Sequence, residues 1–288
     1  MTTVRIIPRL DIKGPNLVKG INLEGLRVLG KSDQFARYYY ETGADELLYM
    51  DAVASLYGRG SLLEIVEWAS RSIFIPLTVG GGIRTIDDIR AVLRAGADKV
   101  ALNTAAIRNP DFLALACRTF GSSTIAVAID AVRHGGGFYE CLTDYGREAT
   151  GVDALTWAKQ AARLGAGELI VTAIQREGMG QGFDLDLSAA IAGGVDVPVV
   201  AGGGAGQLAH VYEAFTSADL SGVALASMLH YEAVQHFQTD ASAFSGEGNI
   251  EYLRRGSAPP VTPQTIGAVK SYLSERGVSV RPVEVPIA

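Results

Sequence analysis

The chain has 288 residues, 48% of them hydrophobic and 19% charged, with a formal net charge of -6. This composition excludes a disordered chain and a disulfide-stapled mini-domain, and it leaves room for a core as large as one α/β barrel or two ordinary domains. The acidic balance speaks against a nucleic-acid surface, and no apolar run is long enough to cross a bilayer. The polar start MTTVR is not a signal peptide, and Cys117 and Cys141 lack ligand or framework spacing. A cytoplasmic protein with buried, reduced thiols is expected, with no membrane or nucleic-acid partner.

The first apolar run, 5–10 (RIIPRL), ends at a carboxylate, Asp11. A glycine-punctuated segment from 14 to 30, read as a loop, separates it from the first helical pattern. In parallel α/β proteins ligands meet the chain at the C-terminal ends of strands. Asp11 is therefore either an acid–base candidate or a strand-end residue that caps the following turn. Ser32 or Asp33 can cap a helix through Phe35, Tyr38 and Tyr39 that stops at Gly43. Residues 46–51 (ELLYMD) read as a buried strand ending in Asp51, either structural or part of the site. Ser61 and Glu64 form a capping-box pattern for a helix with Leu62, Ile65, Val66 and Ala69 on one face. Residues 73–79 (IFIPLTV) are the third strand, followed at once by Gly80-Gly81-Gly82. A second capping box, Thr85 to Asp88, opens a helix ending at Gly96. Strand four is 99–103, and Asn109-Pro110 opens a helix that Gly121 closes.

Strand five, 124–130 (TIAVAID), again ends in a carboxylate, Asp130. A hairpin-like excursion at about 131–150 surrounds His134-Gly135-Gly136-Gly137. A helix over 153–164 leads to strand six at 168–174, a loop over 175–182 and a short helix near 185–192. Strand seven, 197–201, runs into Gly202-Gly203-Gly204, and strand eight is 222–226. An extended stretch at about 231–260 precedes a last helix from Thr262-Pro263 to near Gly277. Eight strand–helix units in alternation predict the α/β class and a single (β/α)8 TIM barrel spanning 1–288. A doubly wound sheet would need fewer strands or a second domain.

The two halves repeat. Asp130 follows Asp11 by 119 residues (130 − 11), and Gly202 follows Gly80 by 122 (202 − 80). A half-barrel duplicated once explains the shared offset. Triglycine at a strand end bares backbone N–H groups toward the positive end of the next helix, which suits a phosphate. Gly203, Gly204, Ala226 and Ser227 fall at the usual barrel phosphate site, after strands seven and eight. The repeat places a second cradle at Gly81, Gly82, Asn103 and Thr104, across the barrel mouth. Two cradles imply a bisphosphorylated substrate, and Asp11 and Asp130, facing each other between them, suit general acid–base work on it. His134, His210, His230 and His236 are scattered without ligand spacing, and no nucleotide-cofactor fingerprint appears, so neither a metal nor a cofactor is expected.

The segments IIPRLDIK, VKGINLEGLR, TVGGGIR, ADKVALNTAAI, VAIDA, GAGEL and AGGGAG, spread over nearly the whole chain, resemble the cyclase-subunit family of imidazole glycerol phosphate synthase, an enzyme of histidine biosynthesis. The resemblance implies a heterodimer with a glutaminase subunit, which releases ammonia at the barrel floor. The ammonia passes through the barrel to a bisphosphorylated ribulosyl-formimino carboxamide ribotide. Cyclisation then gives imidazole glycerol phosphate and an aminoimidazole carboxamide ribotide. It also implies that Asp11 and Asp130 are the acid–base pair and that Lys19 lies in a mobile loop over the substrate. Glu177 and Gly178 would border the second phosphate, and Arg5, Glu46, Lys99 and Glu168 would ring the ammonia entrance. Read from the residues alone, those four charges lie near strand N-termini, opposite the phosphates, where a salt-bridge plug is the other reading.

Three departures from the family pattern stand out. Arg9 occupies a position where the family usually has Cys. Gln175-Arg176-Glu177-Gly178-Met179 replaces Asp-Arg-Asp-Gly-Thr, and the 231–260 stretch is long. They keep two alternatives open: a paralogous ammonia-channelling subunit that amidates a sugar nucleotide for surface polysaccharide, and a non-catalytic barrel that docks and activates a glutaminase.

Overall fold

Apolar runs such as ELIVTA and VVAG are buried on both faces, as strands of a fully covered parallel sheet must be. The computed structural model describes residues 3–53, 60–244, 246, 249–255 and 260–283. Its strands are β1 Arg5–Lys13, β2 Asn16–Ile21, β3 Glu24–Lys31, β4 Leu47–Asp51, β5 Leu77–Gly80, β6 Lys99–Leu102, β7 Ile125–Arg133, β8 Tyr139–Thr143, β9 Glu148–Asp153, β10 Glu168–Ala173, β11 Val199–Gly202 and β12 Gly222–Leu225. Eight of them pair in parallel in the order β1, β4, β5, β6, β7, β10, β11, β12, and β12 pairs back onto β1. The barrel is closed, and helices cover its outside, as the alternating pattern predicts.

The other four strands are two antiparallel hairpins, one after the first strand of each half. β2 and β3 pair with each other, and β2 returns onto β1. Likewise β8 pairs with β7 and with β9. The hairpin turns match. Asn22 and Leu23 have φ of 51° and 64°, and Asp144 and Tyr145 have 51° and 58°, at an offset of 122 residues (144 − 22). Two successive left-handed residues start each turn, which is two residues long in the first hairpin and four in the second, where Gly146 is left-handed too. The segment from 14 to 30, read from sequence as a loop, is thus an ordered hairpin. Its alternation is obscured because Asn16 and Lys19 are buried beside Leu17 and Val18.

Other boundaries shift for local reasons. β5 starts at Leu77 rather than residue 73, because Pro76 has no N–H for the ladder and offers only its carbonyl, to the Leu47 N–H at 2.9 Å. The helix Ser32–Glu41 begins on Ser32 itself, with Lys31 at the cap and no side-chain bond there, since β3 runs directly into it. Asp33 Oδ1 accepts instead from the Gln34 N–H at 2.8 Å. The last helix, Ile266–Ser274, is capped by Thr265 and not by Thr262. Thr262 and Gln264 spend their N–H groups on the carbonyls of Gly206 and Met228, which holds the chain extended until residue 265. Leu62, Val66 and Ala69 are buried in the helix Gly60–Ser72, while the side chain of the expected cap, Ser61, lies outside the described residues. So do residues 245, 247–248 and 256–259 of the long stretch before the last helix. What is described of that stretch holds short helices at Ala241–Phe244 and Glu251–Arg255. Phe244 and Ile250 bury against Val18 and Val28 of the first hairpin, and the Val28 N–H donates to the Asn249 carbonyl at 2.9 Å.

Inside the barrel a separate apolar layer, including Ile7, Leu48, Ala101, Ala128, Ile170 and Val200, fills the middle. Charged residues lie below it and polar ones above. The capping box of the helix Ile86–Arg94 forms as the sequence predicts: the Asp88 N–H donates to Thr85 Oγ1 at 3.1 Å and the Thr85 N–H to Asp88 Oδ2 at 2.7 Å. Thr85→Ala removes one half of this box and should cost about 1 kcal/mol. The check is a urea titration, in which the midpoint falls with the slope unchanged; a midpoint equal to the parent's would show that the box adds nothing.

Candidate functional site

Both triglycine turns carry the same backbone. Gly81 and Gly82 have φ of 100° and 66°, and Gly203 and Gly204 have 88° and 110°. Side chains are excluded as well as strained there. A Cβ on Gly81 would come 2.6 Å from the Asp51 carbonyl, and one on Gly203 would come 2.8 Å from the Ala173 carbonyl, the corresponding strand end. The next strand ends match too. Asn103 has φ, ψ of -127°, -89° and Ala226 of -124°, -83°, each just before a helix. One cavity opens where Gly81, Gly82, Asn103 and Thr104 meet, and another where Glu177, Gly178, Gly203, Gly204, Ala226 and Ser227 meet. The structure thus groups the residues that the sequence assigned to two cradles.

Between them stand the two aspartates on opposite strands of the barrel, β1 and β7. Asp11 is 1% and Asp130 4% exposed. Asn103 Nδ2 donates to Asp130 Oδ2 at 2.9 Å. Burial pushes the Asp130 carboxyl up. Arg9 pulls it back, the Asp11 charge raises it again, and the bonds from Asn103 and Thr172 lower it; the net direction is upward. Arg9, two residues before Asp11 on the same strand, reaches across the barrel. Its Nε donates to Asp11 Oδ1 at 2.9 Å and its Nη1 to Thr172 Oγ1 at 2.8 Å. Burial works against the guanidinium charge, but Asp11, with Tyr145, Asp130 and Glu177 behind it, outweighs that and raises its pKa. Burial, and then the Asp11 charge beside it, raise the Tyr145 hydroxyl well above its usual range.

Lys19 is not on an open loop. It is a buried residue of β2, and its Nζ donates to Glu177 Oε1 at 2.5 Å and to the Gly20 carbonyl at 2.8 Å. Burial raises the Glu177 carboxyl, but Lys19 and Arg9 hold it below the usual range. The Asn22 N–H donates to the Glu177 carbonyl at 2.8 Å, which fixes the hairpin tip to the loop after β10. Gln175, in contrast, faces away from the cradle. Its amide makes two bonds with the Arg133 backbone, at 3.0 and 3.2 Å.

At the other end of the barrel, Arg5, Glu46, Lys99 and Glu168 form one closed ring of alternating sign. Arg5 donates to Glu46 at 2.8 Å and to Glu168, and Lys99 donates to Glu46 at 3.0 Å and to Glu168 at 2.9 Å. Thr78 Oγ1 and Ser221 Oγ complete it from β5 and from the residue before β12. Burial would raise the Glu168 carboxyl, yet Arg5 and Lys99 hold it down.

The sequence reading missed two kinds of residue. Arg84 and Arg108 reach the first cavity, where Arg108 also pairs with Glu148. Their spacing was the available signal: Arg84 is two residues past Gly82, and Arg108 is one helical turn past Thr104. Tyr145 and Thr172 had no signal, since strand pairing alone brings them in. Asp51 lines the first cavity while accepting the Val53 N–H at 3.0 Å, and burial raises its carboxyl. His230 is a core residue. Its Nε2 donates to the Arg9 carbonyl at 2.9 Å, which leaves Nδ1 to accept from the Tyr39 hydroxyl at 2.7 Å. Among the described residues, no group of three or more His, Cys, Asp or Glu side chains is placed to hold a metal ion, and no helix is long and apolar enough to cross a membrane.

Residues 5–235 match the family model described as histidine biosynthesis protein. The chain is 53% identical over 208 residues to the imidazole glycerol phosphate synthase subunit HisF of Legionella pneumophila, an alignment spanning 72% of this chain and 98% of that relative.

Burial pushes His230 down to about 3, further helped by the Lys19 charge, against 6.5 in the unfolded chain. As pH falls below about 6.5 the unfolded chain therefore takes up a proton that the folded one refuses, and stability is lost toward acid until about 3. From pH 7.5 to 5.5 the parent should lose about 1.4 kcal/mol more than His230→Gln, measured by urea unfolding at both pH values. Equal losses would mean that His230 takes up its proton in the fold as readily as in the unfolded chain.

Proposed function

The chain belongs to the histidine biosynthesis protein family, and on that premise we propose that it is the cyclase subunit of an imidazole glycerol phosphate synthase, a lyase. It would use ammonia to convert a bisphosphorylated ribulosyl-formimino carboxamide ribotide to imidazole glycerol phosphate and an aminoimidazole carboxamide ribotide. The observation that carries this reading is the pair of matched cradles with two buried aspartates on opposite strands between them. Each end of the substrate offers a phosphate to backbone N–H groups, which hold its middle over the acid–base pair. The first phosphate would also meet Arg84 and Arg108. Asp130, whose carboxyl burial pushes upward, serves as the proton donor, and Asp11, ion-paired with Arg9, as the acceptor. Lys19 and Glu177 close the second cradle from above.

The floor ring has a part in the same reading. Buried ion pairs contribute little to stability once their desolvation is counted, so four of them at a barrel entrance call for another purpose. A ring whose charges are mutually paired holds back ammonium and bulk water, while the small apolar side chains above it, Ala101, Ala126, Ala128 and Ala224, pass neutral ammonia. The supplier would be a glutaminase subunit docked on the same face, where Phe74, just before β5, is 75% exposed.

With ammonium salts as nitrogen source, Asp11→Asn and Asp130→Asn should each lower turnover of the ribotide about 10²–10⁴-fold per folded molecule, the folded fraction being read from a thermal melt because Asp11→Asn strands the buried Arg9 charge. If both variants turn over at the parent rate, the aspartates are structural. For the ring, Lys99→Ala should lower glutamine-dependent turnover relative to ammonium-dependent turnover in the reconstituted complex. The two rates come from one preparation, so any misfolded fraction cancels; an unchanged ratio makes the ring a structural plug.

A further inference from the structure

Arg9 is a large buried charge inside the barrel to which the chemistry above assigns no contact with substrate. It is 3% exposed, and an ion in that position costs several kcal/mol of lost hydration unless its hydrogen bonds are made. Two of its three nitrogens are used, Nε on Asp11 and Nη1 on Thr172. Nη2 makes no hydrogen bond within the protein, and neither does Asp11 Oδ2. A guanidinium facing a carboxylate ordinarily engages it with two parallel bonds. Here a single bond, Nε to Oδ1, anchors the pair and leaves one donor and one acceptor over. Leaving such buried groups unpaired is unfavourable, so a ligand that supplies both partners is favoured.

The position of the pair decides which ligand that is. Asp11 lies between the two cradles, opposite Asp130, so a molecule with a phosphate in each cradle must cross it at its middle. Thr172 and the His230–Arg9 carbonyl bond hold the arginine in place from the far side and from its own backbone.

We propose that Arg9 is a substrate-contacting residue of this site, its Nη2 donating to a carbonyl or hydroxyl oxygen at the middle of the bound molecule while Asp11 Oδ2 accepts from the adjacent N–H or O–H. The ligand class is a bisphosphorylated molecule whose centre carries an oxygen acceptor beside a proton donor, as a carboxamide or an α-hydroxy carbonyl does. The inference rests on the cyclase reading. Tyr145, on the turn between β8 and β9, lies beside both residues.

The test is steady-state kinetics with ammonium salts and the bisphosphorylated ribotide for the parent, Arg9→Met and Arg9→Lys, each with a thermal melt. Arg9→Met strands the Asp11 charge and can fail to fold. Arg9→Lys keeps a cation for Asp11 but not the second arm of the fork. Folded Arg9→Lys should lose about ten- to a hundredfold in kcat/KM, with KM raised. A purely structural role would scale kcat with the folded fraction and leave KM where it is. A parent that turns the ribotide over while folded Arg9→Lys stays within twofold of it in both constants overturns the Arg9 role alone. A parent with no ammonium-dependent turnover overturns the cyclase reading and the Arg9 role with it.

Discussion

The alternation of side chains along strands that close on themselves is the constraint from which the rest of this protein follows. In a closed barrel every second residue must face the axis, so the inward positions of all eight strands stack in layers. On β1 alone the inward set is Arg5, Ile7, Arg9 and Asp11, one residue for each level from floor to mouth. Other strands repeat the sequence of levels: Glu46, Leu48 and Met50 before and on β4, Lys99, Ala101 and Asn103 on and after β6, Glu168, Ile170 and Thr172 on β10. A one-residue slip of any strand would turn its charge or its polar group out among the helices. Register and site are therefore the same specification.

That layering separates two kinds of electrostatics. On the floor, opposite charges alternate around a ring and each finds a partner on both sides, so the ring is neutral and self-contained. At the mouth the charges are deliberately incomplete. Asp11, Arg9, Asn103 and Tyr145 each keep a polar atom without a protein partner. An apolar layer stands between the two and keeps them from pairing with each other. The lower set resists change, and the upper set is poised to meet something else.

Much of this was legible in the sequence, for reasons that differ by residue. The eight barrel strands and the capping box at Thr85 follow from short-range rules, since an apolar run or a reciprocal cap depends on its immediate neighbours. The cradles were legible because glycine is required where φ is positive and a carbonyl lies behind, and the offset of 122 residues showed the requirement twice. The same offset could have revealed the first hairpin, since Asn22-Leu23 repeats the turn at Asp144-Tyr145, but only the second turn has a glycine directly behind it, Gly146, to advertise the left-handed backbone. Thr172 and Tyr145 were beyond reach, because nothing local marks a residue that matters through a strand four or more elements away. Lys19 was assigned to the site while its surroundings were not: the reading placed it on a loose loop, and its partner Glu177 is 158 residues further on. The extended alternatives, a sugar-amidating paralogue and a non-catalytic docking barrel, rested on Arg9, Gln175 and the long 231–260 stretch. Gln175 proves to be a backbone tie to Arg133 outside the cradle, which removes one of their supports.

The pairing of Arg5 with Gly222 also sets a clock. Between the synthesis of those two residues the ribosome adds 217 others (222 − 5, counting Gly222), which at about 5–20 residues per second takes roughly 10–40 s. For that interval β1 has β4 on one side and an open edge on the other, and an unpaired apolar edge invites pairing with another nascent chain. The barrel that holds the floor ring and the two aspartates in place is not closed until the last strand arrives. The first hairpin waits longer still, because the segment that covers it ends past residue 249. Protection of that edge during translation therefore bears on the yield of active protein, alongside the stability of the finished barrel.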